Sequence, residues 1–331
     1  MSWTKWIIVL LLSLVTTACG TVSMEEAMEN NTRIQEESTN LLEVPANAEE
    51  TPKEEIAAET DSISPEEEMA IAEELALTYI HDFLNNEDVK GKERFVEQHV
   101  IESRQSFFLS YTPFITEEEL RIYHPKVIET QLFEYHGNSV ALVFIQYSSS
   151  PKEESGTKEV IYLFENSKMV SGYLPSKTAA HSDLAFRVIR EGFNKTSTPP
   201  KAVSKAKDFS GDEEIAKNFF RKFLNPKNDD EQLKYYEEHI EESMQYMYGT
   251  FPQIFINKLR KYNNLEVVES VTYRFADQSE GSLILFNSSG TEIVVVLKQS
   301  KFVMAYLESE QTHDSIVFQK LREKFQTPQP A

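Results

Sequence analysis

In two places the chain sets a histidine four residues ahead of a serine, His99 with Ser103 and His239 with Ser243. On a continuous helix that spacing puts both side chains on one face, where an imidazole can act as base toward a hydroxyl. A working nucleophile also needs donors for a developing oxyanion, and no glycine-rich elbow surrounds either serine. His99 follows Phe95 by four, on the apolar side of the helix, so the ordinary reading is a buried imidazole with one satisfied hydrogen bond. His181 and His313 lack a partner at metal-binding helical spacing, and neither HExxH nor CxxC occurs. Aromatic residues gather after the second helix: Phe107, Phe108 and Tyr111, then Tyr246, Tyr248 and Phe251. At helical spacing they read as core, with Phe108 and Tyr248 as alternative linings for a sugar or peptide pocket. The carboxylates form solvated helix faces rather than a desolvated pair, which argues against glycosidase chemistry. No catalytic residue, metal or cofactor is therefore expected.

The remaining reactive group is a thiol. Cys19 is the only cysteine of 331 residues, which excludes an intrachain disulfide and a cysteine-based metal site. It follows Lys5, a short apolar run from Trp6 to Val15, and the small residues Thr16, Thr17 and Ala18. A run near ten residues is too short for the hydrocarbon core, which takes about 20, so it reads as a cleavable signal. The stretch Leu14-Val15-Thr16-Thr17-Ala18-Cys19 resembles the lipobox of bacterial lipoproteins. That resemblance implies cleavage between Ala18 and Cys19, diacylation of Cys19, and residence on the outer face of a membrane. Residue usage suggests a Gram-positive source, where some cleaved signal fragments act as pheromones. Ordinary signal-peptidase cleavage after Ala18 is the alternative and would leave a secreted chain with a free thiol.

Beyond Cys19, charge and composition divide the chain. Between Cys19 and Pro65 there are 12 acidic residues against Arg33 and Lys53, with almost no aromatics. Such a segment cannot offset its ordering entropy, so residues 19–63 are expected to be a disordered acidic tether after the signal peptide, residues 1–18. A 45-residue flexible tether reaches about 35–40 Å root-mean-square. The formal net charge of −21 disfavours nucleic acid and anionic headgroups as partners.

From Ser64 onward the sequence repeats itself. With an offset of 140, Glu73–Asn85 lies over Glu213–Asn225 and Phe95–Gln105 over Tyr235–Gln245 without a gap. Further on, His181, Phe186, Arg190 and Phe193 lie over His313, Phe318, Arg322 and Phe325. The expected fold class is α+β: two tandem copies of helix, helix, helix, four-stranded antiparallel sheet, helix. Repeat one is residues 64–193, a linker 194–209, repeat two 210–325, and a disordered tail 326–331. Ser64-Pro65-Glu66-Glu67 and Ser210-Gly211-Asp212-Glu213 both read as capping boxes. A second helix is expected over 93–108, and strands over 127–135, 139–147, 158–164 and 169–174. Gly137-Asn138 and Asn166-Ser167 are expected to close hairpins. Val140–Ile145 and Val160–Phe164 are continuously apolar, so both faces of the sheet should be covered and the repeats should pack near their sheets.

Helices followed by an antiparallel meander resemble the nuclear transport factor 2-like superfamily at the level of element order. The resemblance implies a pocket between sheet and helices, and no particular activity. Two function classes are open. One is a lipid-anchored, non-enzymatic binding or scaffold module for an envelope protein, peptide or glycan. The other is an envelope enzyme with a pocket in one repeat, marked by polar residues that only one copy carries.

Overall fold

The computed structural model describes residues 64–112, 121–152, 158–176, 179–193, 208–250, 258–309 and 312–326. The signal peptide, Cys19, the acidic tether, most of the 194–209 linker and most of the tail lie outside the described residues.

Helix α1, Pro65–Thr78, starts as its sequence dictates. Ser64 Oγ accepts from Glu67 N at 3.2 Å, and Glu67 returns the bond to Ser64 N at 2.9 Å. Its last turn widens into a π-helical segment, Tyr79–Leu84, with Asn85 N bonded to Ile80 O. The extra residue stacks Tyr79 on Phe83, 5.2 Å between ring centres, and both face the core. The second unit repeats this: α5, Ser210–Asn218, runs into a π-helical Phe219–Leu224.

Its start differs from expectation. Ser210 is the first helical residue, not the cap, and its N–H goes to Asp208 Oδ1 at 2.9 Å. The box fails because its acids are engaged elsewhere. Glu213 Oε1 accepts from Ser270 Oγ at 2.8 Å, and Asp212 turns inward to take the Ser282 hydroxyl.

The expected second helix is two helices. In the first unit α2, Val89–His99, ends where Val100 becomes extended, and α3, Glu102–Tyr111, follows. Val100 bridges Met169 in parallel, and Ile101 N donates to Met169 O at 3.0 Å. The second unit does the same with α6, Asp229–His239, Ile240 paired to Phe302, and α7, Glu242–Thr250. A β-branched residue at the break satisfies the open sheet edge and sinks into the core, at 2% exposure for Val100 and 0% for Ile240.

Strands β1, Tyr123–Tyr135, β2, Asn138–Ser148, β3, Lys158–Glu165, and β4, Lys168–Tyr173, form one antiparallel meander. Strands β5, Glu266–Arg274, β6, Glu280–Ser288, β7, Thr291–Lys298, and β8, Lys301–Leu307, form the other. The first hairpin turns on His136-Gly137, one residue earlier than expected, because Asn138 pairs with Tyr135. Both turn residues have positive φ, 50° and 76°, as a two-residue turn between twisted strands requires. Asn166-Ser167 makes its turn as expected, with φ of 47° and 58°. Pro125 is tolerated in β1 because that strand lies at the sheet edge.

Each unit closes with a helix, α4, Ala180–Arg190, and α8, Thr312–Arg322. Alternate residues of the first sheet take opposite faces. Ala141, Val143, Ile145, Tyr162 and Phe164 meet α1 to α3, while Val140, Leu142, Phe144, Ile161 and Leu163 meet the closing helices. Every one of these is buried, which is why the strands read as unbroken apolar runs.

The closing helices form a shared middle layer. α4 touches β3 and β4 of its own unit together with α7 and β8 of the other, and α8 packs on α4, β7 and β8. One apolar core runs from the first sheet through this layer into the second unit. Polar ties cross it: Tyr173 OH donates to His313 O at 3.1 Å, Tyr135 OH to Ser309 O at 3.3 Å, and Thr312 Oγ1 to Glu165. At the opposite end Lys324 pairs with Glu191. We therefore expect a protease site introduced between Phe193 and Asp208 to yield two fragments that co-elute on native gel filtration. Elution as two separate folded halves is the contrary result.

Candidate functional site

The histidine and serine of each pair lie on separate helices. Each helix ends at its histidine, so Ser103 and Ser243 begin different helices and share no face with His99 and His239. This corrects the reading of one continuous helix. His99 is half-buried against Phe95, 5.0 Å between ring centres, and His239 repeats this on Tyr235 at 5.1 Å. Burial holds both imidazoles below their ordinary pKa; Lys168 adds to this at His99, while Glu238 opposes it at His239. Ser103 is exposed. Ser243 instead serves the seam, accepting from Ala180 N at 3.2 Å and donating to Glu241.

Phe108 and Tyr248 are core. Phe108 packs edge-on to Phe83 and Tyr79, at 5.8 and 6.1 Å, and is 3% exposed. Tyr248 stands within 6 Å of Phe219, Phe223 and Phe302, and its hydroxyl donates to Val303 O at 3.2 Å. These rings occupy space between the helices and the sheets, where the superfamily resemblance implies a pocket.

Among the described residues, no group of three or more His, Cys, Asp or Glu side chains is placed to hold a metal ion. No described helix is long and apolar enough to cross a membrane. Comparisons with protein families, curated proteins and solved structures return no significant match.

Internal symmetry then becomes the control. Several polar residues present in both repeats make the same fold-supporting bond in both. Asn85 Nδ2 donates to Ile122 O, and Asn225 Nδ2 to Arg260 O. Glu73 takes the Thr130 hydroxyl as Glu213 takes that of Ser270. Arg190 forks onto Glu159, and Arg322 onto Glu292.

The informative positions are buried polar groups that one copy lacks. Lys92 is fully buried, 5.9 Å from the centre of the Phe83 ring, where the second unit has Gln232 bonded to Phe223 O. Its ammonium is pushed below the ordinary lysine range by burial and then by Arg121. Asp212 and Ser282 replace Ala72 and Ala141, the same packing contact made apolar in the first unit. A double-mutant cycle on Asp212→Ala and Ser282→Ala is expected to give a coupling of about 1–2 kcal/mol by urea unfolding. Additive losses would count against that bond.

The third such position lies on the seam. Arg104 of α3 stands where the second repeat has Met244. Nearby, α8 opens with His313, 7% exposed, and Asp314, with His313 Nε2 at 3.1 Å and Lys258 Nζ at 3.7 Å from the Asp314 carboxylate. Burial works to raise the Asp314 pKa, but His313, Lys258 and Arg104 outweigh it and hold it at about 2. Tyr173 and Tyr306 complete the surroundings, their hydroxyls pushed up by burial. Sequence reasoning missed this cluster, although the register of the two repeats already marks Arg104 against Met244.

Proposed function

We propose that the chain is a lipoprotein anchored through Cys19 on the extracytoplasmic face of a cell membrane. Its two α+β units act there as one non-enzymatic binding or scaffold module of the envelope. The observation that carries the anchor is the position of the sole cysteine, directly after a short apolar run and three small residues. Two acyl chains hold a protein stably where one is marginal. The binding reading is supported by the shared polar pairs that hold the fold in both repeats, and by the helix break that separates each shared histidine from the serine four residues on. The partner is a cationic or neutral envelope protein, peptide or glycan, in keeping with the acidic surface.

The test is metabolic labelling with palmitate in a Gram-positive host. The wild type is expected to incorporate label and to sediment with membranes. Cys19→Ala should lose the label and move to the soluble or secreted fraction. A Cys19→Ala protein that stays in the membrane fraction would sink the anchor.

A further inference from the structure

We draw no further inference here: the strongest candidate, the outer face of α6 and α7 where Leu233 is 53% and Tyr246 42% exposed while the first repeat has Glu93 and Ser106 at the same positions, carries no proposal because nothing in the structure shows what covers it.

Discussion

Glu292→Leu is expected to remove about 3–5 kcal/mol of stability. Arg322 is 2% exposed and Glu292 11% exposed at the side chain, joined by two bonds at 2.7 and 3.0 Å. Deleting the carboxylate takes away the anion that faces a guanidinium buried in the middle layer. The pair itself is worth far less than its rupture, because both charges were desolvated to make it. Arg322→Met combined with Glu292→Leu should therefore recover most of the loss. The first unit supplies the comparison. Arg190 and Glu159 make the same fork at 3.1 and 3.3 Å but are 14% and 28% exposed, so Glu159→Leu should cost roughly half as much or less. Urea midpoints at pH 7.5 measure all three variants against the wild type. Equal losses at the two sites would show that burial does not set the scale.

Acidification is expected to weaken the fold by about 3 kcal/mol between pH 6.5 and pH 4 through His181 alone. This side chain is 6% exposed at the start of α4, beside the Ser182 hydroxyl at 3.1 Å, and burial pushes its pKa down to about 4. Above pH 6.5 the imidazole is neutral in folded and unfolded chains alike and contributes no pH dependence. As pH falls through 6.5 the unfolded chain takes up a proton that the folded chain refuses, so stability drops, levelling off below pH 4. His99 and His239, also lowered, act in the same direction with smaller weight because they are partly exposed. Asp314 adds a later loss as pH falls from 3.8 towards 2, when its ion pairs are protonated away. Relief of acidic self-repulsion works in the opposite sense, since the chain carries a formal −21 at neutral pH. Comparison with His181→Gln isolates the contribution: the variant should flatten the 6.5-to-4 segment of the stability curve. An unchanged slope would assign the acid sensitivity elsewhere.

Much of this architecture was legible one element at a time. Ser64, Pro65 and Glu67 announce α1 because a capping box is a purely local device. The strands announce themselves because two-sided burial demands continuous apolar runs. The break between α2 and α3 was not legible. Phe95, Val96, Val100 and Phe107 keep a helical rhythm through it, and the partner that pulls Val100 out of the helix is Met169, on the far edge of the sheet. The same cause makes His99 and Ser103 look like neighbours on one face. At Ser210 a local motif yielded to a distant hydroxyl, Ser282, that no short-range rule anticipates. Arg104 is different in kind. Its significance is already written in the register of the repeats, because a duplicated sequence carries its own reference at every position.

The shared middle layer also has a consequence for how the protein comes into being. Tyr173 finds its acceptor on His313, 140 positions later, and α8 is the last described helix to emerge from the ribosome. Until it arrives, the inner face of the first sheet has no complete cover, and a nascent chain must hold a broad greasy surface open while the residues between Tyr173 and Thr312 are made. Slow, late closure of this kind exposes the intermediate to aggregation and to holding chaperones. A premature stop that spares every strand but removes α8 would thus strip cover from both halves at once.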